Sequence, residues 1–336
     1  MPTQWPKLPT NPRATIKPKS RDGTDNTMNS SPNNDNANNN AHPQQDGQTT
    51  YWYNGQPVLG DTITLPISDP GLIYGATLFT TLRVHHHLDH PATQWQAHCD
   101  RLRHATQQLN FIAPNWDHIR AGAEYIHGHY PVVRIVVFPN GIEWITGRSL
   151  PPDLAERQMK GITAWVAPPD YQRSLPQYKS SNYLAPWLAA REGRSHHAAE
   201  TILTNQAGHW LETATGNLWG YRDGQWWIPP LLAPLSTPLP KEVEAGISSD
   251  RPINQRLPGT GQKFLTQLLE NDGQTVTPCP WTADWVTRLE AIAYSNSGVG
   301  LIPIHTVLDP EGKILWQTSE SQAADHLLHL WQRSIR

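Results

Sequence analysis

Two cysteines, Cys99 and Cys279, are all that 336 residues contain. That is too few for a disulfide framework, and a reducing compartment is the simpler expectation. No apolar run approaches the roughly 20 residues needed to cross a bilayer, and no apolar stretch follows Met1. Charge is also scarce: Asp, Glu, Lys and Arg make up 16% of the chain, and the net charge is −3 with His neutral. A nucleic-acid footprint needs a basic face, which this composition does not offer. These absences lead us to expect a soluble cytoplasmic protein, with neither a nucleic acid nor a membrane as partner.

Hydrophobic residues at 37% suffice for a core, and the length suggests about two domains. Residues 1–49 differ from the rest. Proline recurs at positions 2, 6, 9, 12, 18, 32 and 43, and an Asn-, Asp- and Ser-rich run covers 26–40. Such a segment has little to offset the entropy of ordering, so a disordered low-complexity tail is expected. Its start carries Lys7, Arg13, Lys17, Lys19 and Arg21 and no acid. A transit peptide and a solvated leader both fit; the prolines and the missing apolar helical face favour the leader. Met28 is an alternative start of translation.

From residue 50 the pattern is mixed. Tyr51–Tyr53, Asn54-Gly55 and Gln56–Leu59 read as a hairpin, because Asn-Gly accepts the positive φ angles of a type I′ turn. Short strands are expected over 62–65 and 78–84. Helical spacing of Trp95, His98, Leu102, Ala105 and Leu109 predicts a helix over 93–109. Asn115 is an N-cap candidate for the next. Strands follow over 132–138 and 142–146. Further on, two hairpins are expected over 201–211 and 218–228, then helices after Gly259 and over 322–335. Runs of strands with a few helices point to an α+β fold rather than an alternating parallel sheet. The stretch 229–256 is Pro-rich without clear periodicity and reads as an insertion.

Two segments carry chemistry. In Tyr178-Lys179-Ser180-Ser181-Asn182-Tyr183-Leu184, a lysine heads an apolar, helix-compatible run. In Leu211-Glu212-Thr213-Ala214-Thr215-Gly216-Asn217-Leu218, a carboxylate ends a strand-like run. A buried lysine loses enough basicity to form imines near neutral pH. A buried carboxylate beside a pyridine nitrogen keeps that nitrogen protonated. A lone lysine in such a setting is usually solvated, so the pair needs support from elsewhere. The Gly259-Thr260-Gly261-Gln262-Lys263 stretch before an apolar helix could cradle an anion at a helix N-terminus or be a plain helix entry; P-loop spacing is absent. The His85-His86-His87 triplet alternates faces on a strand, so it reads as a polar strand end and no metal is expected.

Eight segments in order give the support: Ser68–Gly75, Leu78–Val84, His98–Leu102, the Lys179 segment, Ala199–Leu203, the Glu212 segment, Leu257–Thr260, and Ser295-Asn296-Ser297 running to Pro303. Over about 51–333 the chain resembles the class IV (fold-type IV) aminotransferases. The resemblance implies a two-domain fold like that of D-amino-acid aminotransferase. A small α+β domain would cover 50–167, an interdomain loop 168–178, and a larger cofactor-binding domain 179–336. It implies pyridoxal 5′-phosphate as cofactor and a homodimer. Lys179 would carry the cofactor, Glu212 would pair with its ring nitrogen, and Arg101, Thr260, Gly261 and Ser297 would hold its phosphate. Gly261 and Gln262 depart from the Thr and Arg that the family usually has there. Arg134 would bind a substrate carboxylate or form a strand-end salt bridge. Thr80 would orient substrate or be a buried strand hydroxyl.

Many aminotransferase members have an acid directly after the Phe of Leu78-Phe79-Thr80-Thr81, whereas this form resembles the 4-amino-4-deoxychorismate lyases. The lyase reaction, giving 4-aminobenzoate and pyruvate, is therefore the first expectation. A branched-chain or D-amino-acid aminotransferase is the second, and a non-catalytic relative the third.

Overall fold

The computed structural model describes residues 50–231, 255–318 and 322–336. The expected disordered tail, Met28 and most of the expected insertion lie outside them.

Two sheets organise the described chain. The first has five strands: β1 (Thr50–Tyr53), β2 (Gln56–Leu59), β3 (Leu78–Arg83), β4 (Val132–Val137) and β5 (Glu143–Arg148), in the order β2-β1-β5-β4-β3. All its pairings are antiparallel. Asn54 and Gly55 take φ of 49° and 79° at the first hairpin, as its sequence predicts. The short helix α1 (Pro70–Tyr74) precedes β3. Helices α2 (Trp95–Gln108) and α3 (Trp116–His127) cover one face of the sheet. The Asn115 side chain caps α3 by accepting from the Asp117 and His118 amides. Leu82, Leu102, Ile119, Ile126, Val133, Ile135 and Ile145 fill the space between.

Strand alternation decides what the other face shows. Thr81 lies opposite Arg134 on β4, and Arg134 lies opposite Thr146 on β5. Cross-strand partners share a face, so these three side chains form a row. Phe79 and Arg148, each two residues along its strand, flank it.

After α4 (Leu154–Lys160) the chain enters a larger sheet. Its strands are β6 (Ile162–Val166), β7 (Glu200–Thr204), β8 (Trp210–Thr213), β9 (Asn217–Arg222), β10 (Gln225–Ile228), β11 (Val276–Pro278), β12 (Ala291–Asn296), β13 (Gly300–Leu308) and β14 (Ile314–Gln317). The order is β11-β10-β9-β12-β13-β6-β7-β8, with β14 on β13. The remaining helices are α5 (Leu184–Ser195), α6 (Thr260–Asn271), α7 (Ala283–Val286) and α8 (Gln322–Ser334). α6 and α8 pack on Trp219, Trp226, Ala293 and Leu301. Leu218, Ile292, Tyr294 and Ile302, which alternate with them, face a separate core with Trp281 and Trp316. Several of the chain's tryptophans thus serve the core: Trp165, Trp219, Trp226 and Trp281 are fully buried. The result is the α+β fold expected.

Three local expectations change. Residues 62–65 form no strand; Ile63 and Leu65 instead pack from a loop onto the Phe79 cluster. Strand β6 lies before residue 167, yet it pairs with β13 and β7 and so belongs to the larger sheet. Lys179 does not head a helix. The Phe79 amide donates to the Lys179 carbonyl at 2.8 Å and Leu78 bridges Ser180, which hold this segment extended against β3. Ser180, Ser181 and Asn182 favour local side-chain bonding over a helix, and α5 begins only at Leu184.

Candidate active site

A cavity of about 510 Å³ is lined by the free face of the small sheet, the 173–183 segment, the β8–β9 connection and the start of α6. Lys179, Glu212, Arg101, Arg134, Thr260, Gly261 and Ser297 all line it. Seven residues named from the sequence therefore converge, although they span 101 to 297 in the chain.

The Lys179 ammonium form is disfavoured. Burial is the main cause, reinforced by Arg173, Arg101 and Arg134 and opposed by Glu212, so the amine is held well below its ordinary pKa. Its Nζ lies 4.7 Å from the centre of the Phe79 ring. Such an amine is a nucleophile near neutral pH.

Glu212 is 2% exposed. Its Oε1 accepts from Arg173 Nε at 2.9 Å and its Oε2 from the Leu257 amide at 3.4 Å. Its position at the end of β8 directs it to the cavity. Asn217, at the start of β9, donates to the Leu257 carbonyl at 3.0 Å and lies against Gly259, where a Cβ would fall 1.8 Å from its Oδ1. The 257–259 segment is thereby pinned beside Glu212.

The anion end of the cavity is built around the N-terminus of α6. Gly259 caps it without a side-chain bond, leaving the first-turn amides available. The Thr260 hydroxyl and Arg101 Nε are buried with no hydrogen-bond partner, and buried polar groups rarely stay so. Gly261 allows close approach: a Cβ there would sit 3.3 Å from the Ser297 amide and hydroxyl. Gln262, the other departure from the family pattern, is buried. It links Arg256, whose Nη1 donates to it at 2.7 Å, to the Leu218 carbonyl at 3.1 Å. The change therefore serves packing behind the helix start. Orphaned donors, a helix dipole and a serine turn suit a phosphate. With Lys179 and Glu212 in the same cavity, the residues present fit pyridoxal 5′-phosphate.

Thr80 corrects an expectation. It is fully buried and does not line the cavity, because Phe79 and Thr81 alternate onto that face. It faces α2 instead. Its hydroxyl accepts from Arg101 Nη2 at 2.7 Å and lies 2.6 Å from His98 Nδ1. Burial first, then Arg101 and Lys179, depress the His98 pKa well below its usual value. Thr80 is thus a support for Arg101, not a substrate contact.

Arg134 is no strand-end salt bridge. Its guanidinium lies over the Phe79 ring at 3.8 Å, and among the described residues it has no acidic partner. Neither has Arg148, which lines the same wall. Burial lowers both pKa values, that of Arg134 to about 10. Sequence reading missed Arg148 and Arg173. The register of β4 against β5 was the signal for Arg148; Arg173 stood in what read as a plain connection.

Comparison with known proteins agrees with this geometry. The family model for amino-transferase class IV matches residues 77–237. An aminodeoxychorismate lyase of Vibrio harveyi is 22% identical over 282 residues, covering 79% of this chain and 93% of its own. The Escherichia coli branched-chain amino acid aminotransferase superposes with a TM-score of 0.65 at 18% identity, over 83% of this chain and 92% of its own. A hypothetical aminotransferase from Mycobacterium tuberculosis, solved with α-ketoglutarate and PMP bound, gives 0.68 at 16% identity, over 85% of this chain and 98% of its own. Fold and matched segment agree: residues 77–237 match the class IV amino-transferase family model, and the fold is that of the fold-type IV aminotransferases.

Proposed function

We propose that the protein is a 4-amino-4-deoxychorismate lyase that forms 4-aminobenzoate and pyruvate. The observation that carries this reading is the wall formed by Arg134 and Arg148: two guanidinium groups without acids, beside Thr81 and Thr146. The lyase substrate brings two carboxylates, which such a wall takes up. The Vibrio harveyi relative, matched over nearly its whole length, and the Thr80 hydroxyl in place of an acid support the same reading.

When bound, the cofactor supplies an electron sink for the carbon that carries the substrate nitrogen. The chain does the rest. Lys179 would hold the cofactor, and its Nζ would move the proton at that carbon. Glu212 would keep the ring nitrogen protonated. Arg101, the first-turn amides of α6, Thr260 and Ser297 would hold the phosphate, with Thr80 and His98 behind Arg101. Arg134 and Arg148 orient the substrate, and Phe79, Trp144 and Tyr183 shield the reacting atoms from water.

A transaminase reading rests on the same wall, since a dicarboxylic keto acid would also satisfy it and the M. tuberculosis structure holds α-ketoglutarate. One assay separates them. With aminodeoxychorismate alone, the purified protein should release 4-aminobenzoate and pyruvate in equal amounts. Amino-group exchange with a keto acid and no such release would replace our reading with a transaminase. A protein that stays colourless with added pyridoxal phosphate would point to a non-catalytic relative.

The homodimer belongs to the same proposal. Leu72, Ile73 and Tyr74 on α1 and Leu184 and Trp187 on α5 are exposed apolar side chains. The segment after α1 meets the segment before α5, since the Ser181 amide donates to the Thr77 carbonyl at 2.9 Å. Exposed apolar side chains of this kind suit an interface, and a monomer mass in sedimentation equilibrium would remove the proposal.

A further inference from the structure

The ion pair on Glu212 is made by Arg173, not by Lys179. Arg173 sits between the second sheet's β6 and the lysine, in the 168–178 connection, and its side chain is 9% exposed. Its guanidinium bonds to residues at the floor of the cavity. Nε donates to Glu212 at 2.9 Å, and Nη2 donates to the Tyr183 hydroxyl at 3.0 Å and to the Ala214 carbonyl at 2.8 Å. Its Cζ lies 4.5 Å from the Tyr183 ring centre, and the Tyr183 hydroxyl in turn donates to the Ala214 carbonyl.

We propose that Arg173 is a positioning residue that takes up the charge of Glu212, so that Lys179 faces a neutral pair instead of a bare carboxylate. The inference rests on the assignment of Lys179 as the reacting amine. Buried charges must be matched. Without Arg173, the Glu212 carboxylate would draw its neutralising proton onto Lys179, the more basic group, and an ammonium cannot attack a carbonyl. With Arg173 in place, that demand is already met. The charges that Lys179 meets are Arg173 from the connection, Arg101 from α2, Arg134 from β4 and Glu212 from β8; His98 beyond them is neutral. Three of these four are cations, and Arg173 is the one among them that is bonded to Glu212; Arg256, behind Glu212, also acts on that carboxylate, without a bond to it. Removing it both withdraws a repelling charge and releases an attracting one, so the two effects add.

The test uses the full-length protein without added cofactor. The rate of acetylation of Lys179 by trace acetic anhydride is followed against pH, read from the Lys179 peptide by mass spectrometry. In Arg173→Gln the midpoint should move up by at least one pH unit, which is about a tenfold slower reaction at any pH well below the wild-type midpoint. Arg173→Lys keeps the charge and should stay within about twofold of wild type. Arg173→Gln/Glu212→Gln removes both charges and should return the midpoint toward wild type, which a misfolded protein would not do. A midpoint unmoved in Arg173→Gln, or one not recovered in the double variant, overturns the proposal. The readout needs neither cofactor nor substrate. If the midpoints behave as expected while the lyase assay fails, the functional reading falls and this one stands.

Discussion

The two walls of the cavity differ in how their charges are matched. On the wall from the larger sheet, Glu212 has a donor on each oxygen, and the α6 start is pinned through Asn217. On the wall from the small sheet, Arg134 and Arg148 carry full charges with no acid among the described residues. A fold tolerates uncompensated, partly buried cations only at a cost, so their presence suits an anion from outside. The larger-sheet wall is built to hold a resident group in one orientation. The small-sheet wall waits for the substrate.

The sharpest way to break this comparison is at the junction of the two walls. Lys179→Ala should abolish the visible band that develops with pyridoxal phosphate. It should also lower turnover by more than about a thousandfold, the scale of losing general acid–base catalysis. An unchanged spectrum would remove Lys179 from the site. A smaller effect is expected on the small-sheet wall. Arg148→Gln or Arg134→Gln should cost roughly tenfold to a hundredfold in kcat/KM, mostly through KM, because one charge-assisted bond to a carboxylate is lost. Pyridoxal phosphate affinity should hardly move. Equal losses in cofactor binding would show that the walls do not divide their work.

The smallest effect lies behind the larger-sheet wall. Burial pushes the Glu200 carboxyl up to about 6 from 4.5, although Thr201 and Thr215 bond to it. A carboxyl whose folded pKa is raised binds its proton more tightly when folded. Its contribution is therefore most favourable below about pH 4.5 and is lost as pH rises through 6, amounting to roughly 2 kcal/mol at pH 7.5. Glu200→Gln keeps an acceptor for the Thr201 amide and turns the other contact into an amide donor to the Thr215 hydroxyl, so it should recover most of that in urea unfolding at pH 7.5, with a flatter pH dependence between 4.5 and 7. An unaltered slope would assign the dependence to another group.

Much of the larger-sheet wall was legible in the residue order. Glu212 at a strand end, Gly259-Thr260-Gly261 before an apolar helix and Ser297 in a polar turn are local patterns, and local geometry aims each at the cavity. Thr80 was misread because one residue of strand register reverses the facing. Had the alternation from Phe79 been carried through, Thr81 would have been the cavity residue. The 62–65 segment was misread because alternating apolar side chains can be buried from a loop as well as from a strand.

The sequence by itself determined which side chains could do the chemistry and which local elements would carry them, because caps, turns, strand alternation and helix starts act over a few residues. Only the tertiary structure decided which charges meet. Arg173 and Glu212 are 39 residues apart, and Arg134 and Arg148 are brought together by strand pairing. Electrostatic energy depends on distance and burial, and neither is written in chain order.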